Sequence, residues 1–569
     1  MLHVMNNLPL KHFRAAGFIA VFLGVFGNMT GSASGAPSWD VPLHHPVYDY
    51  LGMIDFPGRV GDISLSSRPY TEAQVCSLLV YAARNRLITD TAINQFYFRQ
   101  FARIGPDNHQ DRTIPGQIFF NGWNTYAVPY VTTVFAVQDS NFSIPGFTAA
   151  GVDSVNHHRE VVNQSTGGLR FYSLLGNVAT YVDGSISTQY SSLREWVKTN
   201  TPYSGENYSQ IFGKNGGPSH LMGYDDFTAY MKFPTPWFDL KIGDDRVSWG
   251  YDDSEGMIFS GVGKPFQQIK LDKTIGKLNY SFVLGKLIAD SYAENRVVYA
   301  KHFTFTPSPA FSIGYSDAIV TDDQEFEPIY CMPFLPFYFS EHILGDHDNE
   351  IMSFDFQSRF CSRCAAYGEI VIDDMEDLTG FVNDNNFDDK WGGLVGLKVF
   401  NPLPWLSLSL LRVEALQIDP WVYTTAALTN QPRNYPVNFG QVLGNQLGPH
   451  SRELTIDLSG RFSAFLGGGL SVRQIWKGEG PGSSYYDTYN QSPTVLDTLS
   501  DGTVINAADL YDKSYRFEVF DRDRTVFSAT LFADPWTWLR LNANVDIAHE
   551  LKPSTVNLYQ AGAGLQFNY

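Results

Sequence analysis

Hydrophobic and polar residues alternate along much of the chain, most strictly at its end. Tyr559, Ala561, Ala563, Leu565, Phe567 and Tyr569 fall on one face, and Gln560, Gly562, Gly564, Gln566 and Asn568 on the other. Strand side chains point to opposite faces in turn, so this segment shows an apolar row to one solvent and a polar row to another. The same period recurs upstream. Leu454, Ile456, Leu458, Phe462 and Ala464 oppose Glu453, Thr455, Asp457, Ser459 and Arg461. Leu539, Leu541, Ala543, Val545 and Ile547 oppose Arg540, Asn542, Asn544 and Asp546. Charged residues are thus expected to face a lumen and apolar ones lipid, as in an outer-membrane barrel. An aromatic carboxy-terminus such as Tyr569 is the usual finish of such a barrel, and barrel assembly machinery is the partner expected to recognise it.

Proline punctuates the alternation. Phe233-Pro-Thr-Pro-Trp237, Thr306-Pro-Ser-Pro-Ala-Phe311, Asn401-Pro-Leu-Pro-Trp405 and Asp534-Pro-Trp-Thr-Trp538 each end one strand and start the next, because proline cannot continue a ladder. Short turns are predicted near 176, 234, 276, 307, 362, 402, 467 and 534. Long polar and aromatic connections fall at about 139–166, 191–225, 250–266, 321–349, 375–390, 418–450 and 477–513, with two tight ones near 290–295 and 550–554. Outer-membrane barrels have short periplasmic turns and longer external loops. Assigned that way, the pattern gives an all-β transmembrane barrel of about 18 antiparallel strands starting near residue 127. Tyr569 then ends on the periplasmic side.

The first part of the chain reads differently. Lys11 and Arg14 precede an apolar run from Ala15 to Gly27, and small residues Ala33-Ser-Gly-Ala36 follow, the layout of a signal peptide over 1–36. The run is too short for a membrane helix, which takes roughly 20 apolar residues. Residues 37–115 read as a small periplasmic helical unit and 116–569 as the barrel. Thr71-Glu-Ala-Gln74 has the form of a capping box before an apolar stretch. Ile93, Phe96, Tyr97, Phe101 and Ile104 follow Thr89 at helical spacing, and His45 to Phe56 forms a third candidate helix.

Composition narrows the reading. Mean hydropathy is −0.17 although 15% of residues are aromatic, as expected where half of every strand is polar. Net charge is −19, or −21 without the two signal-segment cations Lys11 and Arg14. Such acidity opposes binding to nucleic acid.

The middle of the chain resembles a known family. Trp249-Gly-Tyr-Asp-Asp-Ser254, Met257-Ile-Phe-Ser260 and Lys264-Pro-Phe266 look like a signature of the capsule assembly Wzi family. So do Arg68-Pro-Tyr-Thr71, Asn349-Glu-Ile-Met-Ser-Phe-Asp-Phe356, Tyr367-Gly-Glu-Ile-Val-Ile-Asp-Asp374, Pro420-Trp-Val-Tyr423 and Asn438-Phe-Gly-Gln-Val-Leu-Gly-Asn-Gln-Leu-Gly-Pro-His-Ser-Arg452. The resemblance implies an 18-stranded outer-membrane barrel with a periplasmic helical bundle. It also implies a lectin-like role attaching capsular polysaccharide to the cell surface.

The long loops carry the residues a glycan binder needs. Sugar C–H faces stack on aromatic rings while Asn, Gln and Arg bond the hydroxyls. Candidates are Trp391, Trp421, Tyr423, Arg433, Asn434, Tyr435, Asn438, Gln441, Arg452, Tyr485, Tyr486 and Tyr489, with Trp196, Tyr203, Tyr208 and Tyr224 in an earlier loop. The competing reading of any single ring is the aromatic girdle at the membrane interface. Asp373 to Asp377 and Asp384 to Asp389 raise calcium as a cofactor, but their spacing is not that of an EF-hand, and solvated acidic loops are favoured. Cys361 and Cys364, in a predicted short turn, fit a disulfide, a redox pair or half a metal site; a local disulfide is favoured. Cys76 and Cys331 are expected on opposite sides of the membrane. No nucleophile elbow, zinc-protease or phosphate-loop motif is present, so no catalytic role is expected. The alternative function is a porin or small-solute channel, since 18 strands can enclose water. Against it, Arg412, Glu414, Asp457, Arg461 and Arg540 are expected to join the helical unit and folded loops in closing the lumen.

Overall fold

The computed structural model describes residues 38–88, 91–101, 118–120, 125–140, 158–193, 208–211, 218–251, 256–288, 296–321, 326–345, 348–374, 390–406, 408–426, 434–478, 482–489, 497–498, 504–505, 520–552 and 556–567. The expected signal segment, Trp196, Tyr203, Arg433, the acidic run 384–389 and Tyr569 lie outside them.

Eighteen antiparallel strands form a closed wall. They are β1 (Thr125–Ser140), β2 (His158–Leu175), β3 (Val178–Ser191), β4 (Leu221–Pro234), β5 (Asp239–Asp245), β6 (Phe266–Ile275), β7 (Leu278–Leu287), β8 (Arg296–Ser308) and β9 (Phe311–Thr321). Then follow β10 (Asn349–Cys361), β11 (Cys364–Asp374), β12 (Lys390–Phe400), β13 (Leu408–Ile418), β14 (Ser451–Arg461), β15 (Leu466–Lys477), β16 (Arg522–Trp536), β17 (Leu539–Lys552) and β18 (Val556–Phe567). Closure comes from β18 pairing with β1, in register from Leu558↔Ser140 to Phe567↔Val131. Two short strands, Ile118–Phe120 and Tyr208–Ile211, pair alongside β1 and β4.

The alternation sorts as expected. Leu454, Ile456, Leu541, Val545, Ile547 and Tyr559 are exposed on the outer wall, while Arg461, Arg540, Glu414 and Thr455 are buried within. Glycine on the inner face of β18 has a packing reason. A Cβ at Gly562 or Gly564 would collide with the side chains of Asn544 and Asn542 on β17. Six of the eight predicted short turns fall where expected, and the turn placed near 534 is at 537–538, since β16 runs on to Trp536. The turn placed near 467 is at 462–465 instead, because β14 ends at Arg461 and Gly467 already pairs with Phe532. Phe462 and Ala464 therefore leave the lipid-facing row to which the alternation assigned them; Ala464 packs against the helical unit.

Residues 38–101 do not stand apart from the barrel. Helix α1 (Val47–Gly52), α2 (Glu72–Arg84) and α3 (Thr91–Phe101) share one core with Ala365, Phe400, Leu408 and Leu410 at the short-turn end. The capping box forms: Thr71 Oγ1 accepts from Gln74 N at 3.1 Å, and Gln74 Oε1 accepts from Thr71 N at 2.8 Å. Ionic contacts fix the unit to the wall. Asp40 bonds Lys232 at 2.5 Å and Lys241 at 3.1 Å. Burial opposes ionisation of Asp40, but Lys232 and Lys241 hold its carboxyl well below the usual range. Asp55 takes both arms of Arg359, at 2.8 and 2.6 Å. Asp534 sits fully buried between Arg540 at 2.7 Å and Arg461 at 3.2 Å, and Arg461 also holds the Tyr97 hydroxyl of α3. Deeper in, Ser67–Arg68 pairs with Ser248–Trp249, so the segment meets the loop end inside the barrel.

Candidate functional site

The loop end is where most candidate binding residues cluster, and it is folded inward. Residues 246–251 and 256–265, with 419–426 and 434–450, pack as one core with inward side chains of the wall: Trp249, Met257, Phe259, Val422, Tyr423 and Val442 against Val298, Val320, Ile351 and Val371, among others. Polar contacts tie the two segments together. The Tyr423 hydroxyl donates to Met257 O at 2.6 Å, Ser260 N donates to Leu443 O at 2.8 Å, and Met257 N donates to Glu369 on β11 at 3.0 Å. Trp421, Tyr423, Phe439 and His450 all adopt left-handed φ between 49° and 72°. Non-glycine residues hold such φ values where surrounding contacts over-determine the backbone.

Two cations anchor it. Arg296, 1% exposed at the start of β8, donates to Tyr435 O at 3.1 Å and Val437 O at 2.9 Å. Its guanidinium lies 4.7 Å from the Tyr435 ring centroid. Lys477 donates to Leu447 O at 2.7 Å, Ser483 O at 3.0 Å and Pro449 O, stitching 447–449 to the next loop. His450 lies buried beside it; desolvation, then the Lys477 charge, lowers its pKa to about 4.

The candidates now separate. Trp421, Tyr423, Asn434, Tyr435 and Asn438 are all buried. Asn438 accepts from Ile288 N at 3.0 Å and donates to Lys264 O and Pro265 O, each at 3.2 Å. Their rings and amides build the cap and are not presented to a ligand, which corrects the expectation that this loop displays them. The physical reason is that a long loop over a wide barrel can bury its aromatics in the mouth, which gains more than leaving them in water. Trp391 and Arg452 lie on the outer wall instead. Trp391 shares an apolar groove there with Phe354, Val395, Leu454 and Trp476, the girdle reading, and Arg452 is the Cα partner of Trp476 at its rim. Half-buried at the loop end remain Gln441, Tyr485 and Tyr486. The two rings are 4.6 Å apart, with Tyr485 donating to Gly440 O at 3.1 Å and Gln441 accepting from Lys264 N at 3.0 Å. Tyr489 is placed only as part of a two-residue strand paired with 425–426.

Other expectations resolve locally. Cys361 and Cys364 form a disulfide across the β10–β11 turn. Cys76 lies in α2, and Cys331 beyond β9. Asp373 of the first acidic run accepts from Tyr423 N at 2.6 Å, so it serves the cap. Among the described residues, no three His, Cys, Asp or Glu side chains converge as metal ligands.

The expected inward charges form two groups. Arg412 pairs with Asp457, while Arg461 and Arg540 share Asp534. Glu414 belongs to neither and accepts from the Tyr367 hydroxyl at 2.5 Å. Between the helical unit and strands β13–β18 a chamber of about 880 Å³ remains, lined by Arg68, Arg246, Arg412, Asp457, Arg540 and Phe532, among others.

These features define an 18-stranded outer-membrane-type barrel occupied from both ends by its own chain. The fold is similar to that of Escherichia coli Wzi, described as an outer membrane protein involved in group 1 capsule assembly and a carbohydrate-binding β-barrel. The TM-score is 0.55 at 13% identity, over 94% of this chain and 100% of that one. Pseudomonas aeruginosa OccK9 gives 0.42 at 10% identity, covering 78% of this chain and 98% of that one. Acinetobacter baumannii OccAB2 gives 0.40 at 11% identity with the same coverage. No family sequence model matches the chain, nor does any curated protein.

Proposed function

We propose that this protein binds a surface polysaccharide at its loop end and holds it at the outer membrane, without turnover and without passing solutes. The observation that carries the reading is the filled interior: segments 38–88 and 91–101 enter from the short-turn end, and 246–251 and 256–265 with 419–426 and 434–450 from the other. A barrel so occupied is a rigid platform for its loops. The fold it shares with a carbohydrate-binding barrel supports the same reading. The exposed apolar belt calls for lipid around the wall, with the helical unit on the periplasmic side under the short turns.

Contacts to the glycan are assigned to Tyr485, Tyr486 and Gln441 at the cap's margin, with Arg433 and Tyr489 in the adjoining loops. A repeating polymer makes several weak contacts at once and gains avidity. The test is binding of purified capsule to folded protein, with and without chelator, and with Tyr485→Ala/Tyr486→Ala. Expected are measurable binding and its loss in the variant. Unchanged cell-bound capsule in a null mutant, together with no glycan binding, would sink the proposal. The chamber is the feature a channel reading would use, and steady single-channel conductance of porin size in planar bilayers would favour that reading.

A further inference from the structure

The lipid-facing row of β8 and β9 contains two misfits. On β8 the outward positions are Val297, Tyr299, Lys301, Phe303 and Phe305; on β9 they are Phe311, Ile313, Tyr315, Asp317 and Ile319. Glu350 lies in the adjoining row of β10, opposite Ile319. An outward lysine near mid-membrane costs about 2–4 kcal/mol, yet Lys301 and Asp317 are Cα partners in the middle of the wall.

Both are buried, 1% and 0% exposed as side chains, by the segment 326–345. That segment leaves the loop end and runs back down the outside of the barrel. Tyr330, Cys331 and Phe337 pack on Tyr280, Phe282, Tyr299 and Ile319 of β7–β9. Phe334 reaches the row of Tyr280 and Phe303. From Arg296 at the loop end to Phe303 is about 23 Å of strand at ~3.3 Å per residue. The apolar band of such a barrel is only about 25 Å tall.

The wall charges do a specific job. Asp317 accepts the backbone N–H of Phe337, the first residue of helix α4 (Phe337–Leu344), at 2.9 Å. Lys301 donates to Leu335 O and to Met332 O at 3.4 Å, and lies 3.6 Å from the Phe337 ring centroid. Tyr299 accepts from Glu327 N at 2.9 Å. Pro328, Pro333 and Pro336 have no N–H to satisfy. Irregular backbone survives at membrane depth only when protein groups replace water as its partners. Lys301, Asp317 and Tyr299 supply such partners. Phe334, Tyr338, Phe339, His342, Ile343 and Leu344 of the segment are exposed, Ile343 at 70%, as are Phe305, Ile313 and Phe354 of the belt.

We infer that residues 326–345 form an intramembrane element outside the barrel, whose outer face is covered by lipid acyl chains and whose irregular backbone is held by Lys301 and Asp317. The test uses the full chain in liposomes with a spin label at Ile343→Cys in a Cys76→Ser background, since Cys331 is buried. Oxygen and water-soluble nickel-chelate access are compared with labels at Val395→Cys on the belt and Lys277→Cys at a short turn. Expected is the Val395 signature, with high oxygen access and loss of nickel access. Nickel access like that at Lys277 overturns the inference in favour of an aqueous partner; exclusion of both reagents overturns it in favour of a protein partner. Asp317→Ala, folded by heat-dependent gel mobility, should release the segment and raise label mobility. No change there overturns the role of the wall charge.

Discussion

Replacing Arg296 with methionine should open the cap and leave the barrel standing. The guanidinium makes two charge-assisted bonds to carbonyls of the buried segment 435–437 and lies against the Tyr435 ring. Each such bond contributes about 1.5–3 kcal/mol, and a desolvated cation–π contact up to about 2. Methionine recovers part of the volume but leaves both carbonyls without that donor. These terms do not add fully, so about 4 kcal/mol is expected for the cap. The strand ladder around Arg296 pairs main chain to main chain and is untouched. The assay is native-state proteolysis of the 434–450 region. Cleavage that follows the opening equilibrium should accelerate about a thousandfold for 4 kcal/mol. Arg296→Lys, which keeps charge but not the fork, should fall between. Heat-dependent gel mobility should stay as in the parent. Parental cleavage rates in Arg296→Met would refute the reasoning, because Arg296 would then not be what holds the loop in. A lost barrel would refute it too, by showing that the cap and wall are one cooperative unit.

Asp534→Asn removes the carboxylate shared by two buried arginines and should cost about 3–5 kcal/mol, read by urea unfolding, because the charges left behind are uncompensated. It should also loosen α3 through Arg461 and Tyr97, seen as faster amide exchange there. Thr71→Ala deletes the capping box of α2 and should cost about 1 kcal/mol by the same unfolding measurement, with no effect on the cap. Acidification should open the cap. Free histidine takes a proton near pH 6.5, whereas His450 in the folded loop refuses it until about 4. Stability is therefore full above 6.5 and falls between 6.5 and 4, by at most about 3 kcal/mol. Proteolysis of 434–450 should rise over that window, and His450→Gln should flatten the dependence.

The wall was legible because lipid on one side and a filled lumen on the other impose a period of two on every strand. Turns were legible where Pro-x-Pro or Pro-aromatic segments break that period. The β14–β15 turn was misplaced because Phe462 and Ala464 happen to continue the alternation past the last paired residue. The capping box was readable because it is local: four residues satisfy each other's backbone. The direction of the loops was not. Trp421 and Tyr423 have the chemistry of a sugar platform and of a core equally, and only the wall residues brought beneath them, such as Val371 and Leu416, decide which. A signal did exist for the outer element. Lys301 and Asp317 interrupt apolar rows on adjacent strands, and a row facing lipid should not carry an unpaired charge.

Charge bears on what the loop end can hold. The interior pairs are close to neutral: Asp40 with Lys232 and Lys241, Asp183 with Arg170, Asp457 with Arg412, Glu453 with Arg473, and Asp534 with Arg461 and Arg540. Filling the lumen thus consumes cations at least as fast as carboxylates, and the excess of −19 over the whole chain is carried elsewhere. Lys477 and Arg296, two cations in contact with the cap, are spent on its backbone. An anionic glycan approaching the loops meets net repulsion, screened over roughly 8 Å at physiological salt. Stacking on Tyr485 and Tyr486 is indifferent to that field if the glycan is neutral. If it is anionic and cations such as Arg433 and Arg452 do not offset the field, a divalent cation must join carboxylate to carboxylate. Chelator sensitivity separates the two cases, since a neutral glycan should bind equally with or without it.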